Sequence, residues 1–223
     1  LVEAIVAGEE RCAFAAFEPN VACDLSHVET RARRKGDAWL LTGRKSAVYG
    51  APAADRVVVV ARTEQGLGLF LVDKPALIPA GMIDGGSTAE LVLDDLPAEC
   101  LSADALEDIE AVLDLGRIAL CAEAVGAMSR LIDMTIDYLK QRKQFGRAIA
   151  TFQALQHRIV DMVVEREQCR SITMAAIAGY DTADRGRVVS MAKNLIGRAG
   201  PRIADEAIQM HGGIGMTWEL PLS

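Results

Sequence analysis

The 223-residue chain is 51% apolar and 25% charged, with a formal net charge of −7. This is the composition of a globular protein, long enough for one large domain or two smaller ones, each with its own core. Its basic residues are mixed among acids, which argues against a nucleic-acid partner, and apolar runs such as Val57 to Ala61 are far too short to span a bilayer.

The chain begins without a methionine in an amphipathic piece, Leu1 to Val6, and stops just after entering a glycine-rich loop. A longer protein is expected, with both termini out of view. Cys12, Cys23, Cys100, Cys121 and Cys169 are odd in number and lack CxxC spacing, as in a reduced, cytoplasmic setting.

Up to about residue 100 the pattern is β. Cys12 to Phe17 is a short apolar run. Val28 to Arg34, the turn Lys35-Gly36-Asp37 and Ala38 to Leu41 predict a hairpin. Arg56 to Arg62, Leu67 to Val72 and Ala89 to Leu93 follow as further strands, an antiparallel sandwich or barrel.

After Pro97 the period becomes helical. Ile118, Cys121, Val125, Met128, Ile132 and Leu139 form one apolar stripe, and Phe152, Leu155, Ile159, Met162 and Cys169 a second. A third runs through Val188, Ala192, Leu195, Ala199, Ile203, Ala207 and Met210, staying in phase across Gly200-Pro201, so one helix is expected despite the proline. Thr151 and Asp184 stand where caps are expected. The fold class is α+β: a β-domain over residues 1–100, then an incomplete helical bundle over residues 101–223, with the boundary near 97–105.

Two segments carry possible chemistry. Gly146 is placed to stop the first long helix, and Arg142, Lys143 and Arg147 cluster there, either complementing the helix dipole or forming an anion site for phosphate. His211-Gly-Gly-Ile-Gly follows a helix, so it is neither a dinucleotide fingerprint nor a P-loop. Its glycines serve either to end a helix or to let a flat ligand approach the backbone. His27, His157 and His211 are the only histidines, without an HExxH or Cys/His cluster, which argues against a metal site.

Taken in order, these segments resemble the acyl-CoA dehydrogenase family. Arg142-Lys-Gln-Phe-Gly146 with Gln153 downstream, then a long helix ending in Gln209-Met-His-Gly-Gly-Ile-Gly215, is similar to that family's bundle signature. Glu18-Pro19, and Gly36 to Lys45 ahead of Ala53 to Arg62, are similar to its middle β-domain. The resemblance covers nearly the whole chain and implies a helical domain before Leu1 and a fourth bundle helix after Ser223.

The resemblance further implies FAD, held between β-domain and bundle and clamped by a neighbouring subunit of a homo- or heteromeric dimer or tetramer. Cofactor contacts would come from Phe17, Cys23, Ala47, Val48, Tyr49, Arg142, Phe145, Gln153, Gln209, His211, Gly212 and Gly213. Arg142 would grip phosphate oxygens and Gln209 to Gly213 would lie against the adenosine end of the partner's cofactor. Asp114 and Arg117 would face the acyl-CoA. The family usually has Thr-Glu-Pro and Gly-Ser where this chain has Phe17-Glu18-Pro19 and Ala22-Cys23, and Trp-Ile-Thr where it has Ala47-Val48-Tyr49.

The implied activity is FAD-dependent α,β-dehydrogenation of an acyl-CoA thioester, in fatty acid or lipid catabolism. A carboxylate base removes the α-proton, and an electron-transfer flavoprotein collects the electrons. One family position for that base is occupied here by Gly116, which cannot act; the commoner position is expected beyond Ser223. Glu219 matches a loop acid of the family that is not the base. Two alternatives stand beside this reading: a non-catalytic subunit holding FAD for a heteromeric partner, and a flavin oxidase or monooxygenase on the same fold.

Overall fold

The computed structural model describes residues 1–19, 24–73, 75–220 and 222. In the first of two units, Leu1–Glu110, a short helix, Val2–Ala7 (α1), buries none of its side chains. The strands follow as Cys12–Ala15 (β1), Arg31–Lys35 (β2), Ala38–Tyr49 (β3), Arg56–Arg62 (β4), Leu67–Asp73 (β5), Ala76–Gly81 (β6) and Ser87–Ser102 (β7).

Their pairing closes on itself. β4 pairs β5, β5 pairs β7, β7 pairs β3, β3 pairs β2, and β2 returns to β4 through Arg31 opposite Arg62, which makes a five-membered ring. β1 adds to the first half of β4 and β6 to the first half of β7. The pairing is antiparallel except at β1–β4 and β2–β4, which are parallel. Inward residues such as Leu41, Val57, Val59, Phe70, Val72 and Leu91 fill the interior, with Trp39 tilted on Phe70 at 5.3 Å. Each such side chain contributes about 1.5–3 kcal/mol by leaving water.

The hairpin forms as the sequence predicts, with Lys35 opposite Ala38. Its second strand, however, runs on from Leu41 to Tyr49, and its first begins at Arg31 because Leu25–His27 is a 3-10 turn. The strand expected at Ala89 to Leu93 lies in the first half of the much longer β7, which passes Pro97 and ends at Ser102. Exposed and polar positions hid these extensions: beyond Leu93, ladder pairing with β3 and β5 supports β7 residues none of which is fully buried. β6 escaped for the same reason, being exposed over most of its length.

The second unit, Ala111–Ser223, is built on three long helices, Leu106–Gln141 (α2, beginning in the first unit), Gln153–Ala178 (α3) and Arg185–His211 (α4). All three stripes are inward. Cys121, Met128 and Ile132 on α2 share one core with Met162 and Cys169 on α3 and with Ala192, Ala199, Ile203 and Ala207 on α4. On α4, Val189 and Ile196 are buried deeper than the expected Val188 and Leu195, which pack at its edge.

α4 continues through Pro201, whose ring lies on the exposed side, where water can serve the carbonyl left without a donor. Arg158 pairs with Glu206 and Arg202 with Glu165, both at 2.6 Å, tying α3 to α4. Thr151 does not cap α3: it ends a 3-10 turn and donates to the Ala148 carbonyl. Asp184 holds the cap position of α4, but its carboxylate takes Arg187 instead of a backbone N–H. α2 stops at Gln141, five residues before the glycine expected to end it: Gly146, with φ 77°, belongs to a small hairpin, Lys143–Gln144 (β8) against Arg147–Ala148 (β9).

Candidate functional site

In the barrel, the side chain of Lys45 is 0% exposed and points inward. Its Nζ donates to Glu18 Oε1 at 2.7 Å and to the Ala16 carbonyl at 3.2 Å. Glu18, itself buried, accepts from the backbone N–H of Glu29 at 2.7 Å and of Thr30 at 3.0 Å. Burial pushes the Lys45 ammonium down to about 8 against the opposing pull of Glu18. Burial also works to raise the Glu18 carboxyl, but hydrogen bonds from Lys45, Thr30 and Glu29 outweigh it and hold the group below the usual carboxylate range.

Next to this pair the chain is irregular. Between Lys45 and Val48 the register on β7 slips, from Lys45 opposite Leu91 to Val48 opposite Ala89, so β3 carries one extra residue. Ala47 sits in the bulge at φ 50°, an uncommon place for a residue with a Cβ. Ala47 and Tyr49 face outward, Tyr49 67% exposed, while Val48 is buried. The Phe17 carbonyl accepts from the Ser46 N–H at 3.0 Å, so Phe17 lies beside the bulge. Gly43 approaches Thr30 so closely that a Cβ there would stand 2.6 Å from Thr30 Oγ1. Cys23 lies outside the described residues.

In the bundle, the other expected cofactor residues gather at one end. The hairpin after α2 projects Phe145, 89% exposed with φ 53°, and packs edge-on against Phe152, over which Arg147 lies at 4.2 Å. Arg142 precedes it, exposed, with no side-chain partner among the described residues. Gln153 opens α3, exposed, just beyond the hairpin.

α4 ends at the same place, because the His211 ring stacks on Tyr138 of α2 at 4.4 Å. His211 is 5% exposed and its Nδ1 meets the Ala207 carbonyl at 2.8 Å, so this ring faces the core. What the segment offers outward is Gln209 and the backbone of Gly212 and Gly213, both exposed and with nothing within 4 Å of where a Cβ would stand. Gly212 has φ 66° and ψ −142°, which only glycine adopts readily.

Asp114 and Arg117 stand at the opposite end of the bundle, roughly 40 Å along α2 from Arg142 at 1.5 Å per residue. Asp114 is buried and both its oxygens are engaged, by Arg117 Nη1 at 2.7 Å and by Arg185 Nε at 3.3 Å. Tyr180 donates to the Ala111 carbonyl beside them. Gly116, on the same turns, is exposed and helical, with open space around it.

Sequence reading alone misses three of these partners: Arg185, Tyr180, and the inward turn of Lys45 toward Glu18. For Lys45 a signal existed, since Leu41, Gly43 and Lys45 alternate along one strand and Leu41 must face the core. Arg185 left none, because it reaches Asp114 across 71 residues of chain.

The arrangement is that of an α+β chain with a mixed β-barrel and a helical bundle whose one end unites a guanidinium unpaired among the described residues, an exposed aromatic ring and open glycines. Residues 13–96 match the family described as "Acyl-CoA dehydrogenase, middle domain" and residues 106–223 that described as "Acyl-CoA dehydrogenase, C-terminal domain". The chain belongs to the acyl-CoA dehydrogenase family.

It is 32% identical to a 3-(aryl)acrylate reductase of Clostridium sporogenes over 95% of this chain and 61% of that protein. It is 31% identical to the caffeyl-CoA reductase-Etf complex subunit CarC of Acetobacterium woodii, over 95% of this chain and 60% of that one. A solved structure, "PigA with FAD and proline", superposes with a TM-score of 0.89 and 30% identity over 99% of this chain and 62% of its own. The chain thus spans about three fifths of the length of the relatives it matches. Among the described residues no helix is long and apolar enough to cross a membrane, and no cluster of His, Cys, Asp and Glu could hold a metal ion.

Proposed function

We propose that this chain is the middle and C-terminal part of an FAD-dependent enzyme that removes hydrogen from the α and β carbons of an acyl-CoA thioester and passes the electrons to an electron-transfer flavoprotein. The observation that carries the reading is the end of the bundle where Arg142, Phe145, Gln153, Gln209, Gly212 and Gly213 come together. The residues fit the cofactor. Arg142 has a fork of donors free for paired phosphate oxygens, and the two open glycines leave backbone accessible to a flat ring. Bound FAD supplies the acceptor for the β-hydrogen.

In the barrel, Phe17, Cys23 and Ala47 to Tyr49 are assigned to the flavin ring. In the bundle, Arg117, oriented by Asp114 and only partly exposed, offers its remaining N–H donors to the acyl-CoA. The roughly 40 Å along α2 between this end and Arg142 keeps the two sets of residues apart, which supports a reading in which Arg142 and its neighbours are donated to a neighbouring subunit's FAD. The α-proton is assigned to a carboxylate expected beyond Ser223. The relative described as a subunit of an Etf complex supports the electron partner; two reductases among the relatives leave the physiological direction to be set by the redox partner.

A second reading is favoured by one observation, the bare helix surface at Gly116: a subunit that holds FAD for an unlike partner carrying the base. Full-length protein separates the readings. A yellow, flavin-loaded protein bleached by an acyl-CoA supports the enzyme; flavin that bleaches only after an unlike subunit is added supports the second; colourless protein that takes up no FAD overturns both.

A further inference from the structure

We infer that Glu18 and Lys45 are positioning residues for the flavin ring: their buried ion pair fixes the bulge of β3 against the Phe17 segment, and so sets where Phe17, Ala47 and Tyr49 meet the cofactor. The inference rests on the flavin assignment above and adds a role for two side chains that, in that assignment, do not touch the ring.

The argument is geometric. Three separate stretches of chain converge on the pair: residues 16–18 through the Ala16 carbonyl and the Glu18 carboxylate, residues 29–30 through their N–H groups, and β3 through Lys45. Immediately beyond Lys45 the strand inserts its extra residue and holds Ala47 at φ 50°. Such a conformation is strained for a residue with a Cβ and persists only where its surroundings over-determine it. A β-strand with a bulge has a neighbouring register without one, and a slip by one residue would turn Ala47 and Tyr49 inward.

Lys45 blocks that slip, because its ammonium has one buried acceptor set, Glu18 and the Ala16 carbonyl, and any shift strands a charge in an apolar interior. The Ser46 N–H to the Phe17 carbonyl then transmits the fixed position directly to the neighbouring segment. A buried ion pair adds little net stability compared with well-packed apolar residues, so specificity of position is its expected contribution. Among the described residues, Glu18 is the charged group that acts on Lys45.

The test uses full-length protein stripped of FAD and reloaded. Lys45→Met and Glu18→Gln each should weaken FAD binding on the order of tenfold and change the visible absorption and circular dichroism of the flavin that still binds. The double variant should be no worse than the worse single one, since the two groups act as a unit. Melting of the apoprotein separates folding from positioning, and if Lys45→Met fails to fold, Glu18→Gln carries the test. Variants that bind FAD with wild-type affinity and an unaltered flavin spectrum overturn the inference while leaving the functional proposal standing. Wild-type protein that takes up no FAD overturns both.

Discussion

Tyr138 and His211 lie ring over ring, 4.4 Å between centroids and 28° from parallel, so α2 and α4 end side by side. This stack brings Arg142, four residues past Tyr138, into the neighbourhood of Gly212, the residue after His211. Two segments seventy positions apart in the sequence are thereby presented together, and the contact is made inside the bundle core, where packing can hold it rigid.

Arg142→Ala is expected to lower FAD affinity by about ten- to a hundredfold, the loss of a charge-assisted hydrogen bond to phosphate. The melting temperature of the apoprotein should barely move, because the exposed side chain has no partner among the described residues. Flavin titration of the stripped protein, run beside a thermal melt, checks both; a large stability loss with unchanged affinity would assign Arg142 to the fold.

The two glycines of the closing loop should behave differently. Gly212→Val forces a β-branched residue to φ 66° and should cost about 1–3 kcal/mol of stability. Gly213→Phe has room in the isolated chain and should leave its melting unchanged, yet lower both FAD retention and subunit association. Size-exclusion chromatography with absorbance at flavin wavelengths reads both, and a Gly213→Phe protein with full occupancy counts against the clamp.

Asp114→Ala leaves the guanidinium groups of Arg117 and Arg185 facing each other without their shared carboxylate. The expected loss is about 2–3 kcal/mol in urea unfolding, below that of a fully buried pair because both cations reach solvent. A change under 0.5 kcal/mol, on the order of a surface substitution, would mean that this triad does not hold the start of α4.

Stability should depend on pH through the barrel pair with a defined sign. The Glu18 carboxyl lies below its ordinary 4.5 in the fold, so its contribution is present above that pH and lost as pH falls through the folded value. Lys45 is the reverse of the usual lysine: depressed to about 8 from 10.5, it releases its proton in the fold while the unfolded chain still holds one. Stability from this group therefore rises between about pH 8 and 10.5, and the difference between wild type and Lys45→Met should shift in favour of wild type across that window. Denaturant midpoints of the two proteins, compared at several pH values, show whether it does.

Gly116→Ala should stabilise the protein by about 0.5–1 kcal/mol, as an exposed glycine inside a helix normally does, with no loss of turnover in the full-length enzyme. Loss of turnover without loss of folding would show that the bare backbone at this position is needed for chemistry.

Much of the bundle was legible in the sequence, since a stripe at steps of three and four can satisfy only one face of a helix, and Pro201 could be kept because Ala192, Ala199 and Ile203 stay in phase around it. The hairpin at Gly36 was equally local. Local pattern marked the Arg142 to Gly146 cluster only as a possible anion site, and it was the resemblance of this segment and of Gln209 to Gly215 to the family's bundle signature that made them cofactor candidates. It could not say that β7 runs sixteen residues or that β6 exists, because those strands are held by ladder pairing with distant partners while most of their side chains stay exposed. Nor could it say which partner an inward polar side chain would meet. His211, read as a loop residue, packs into the core on Tyr138, and Lys45, an ordinary charge in the sequence, is sealed in the barrel with Glu18. Such choices are settled by burial: an ionic or polar group goes inside only where the tertiary fold supplies its partner, and that partner is written elsewhere in the chain.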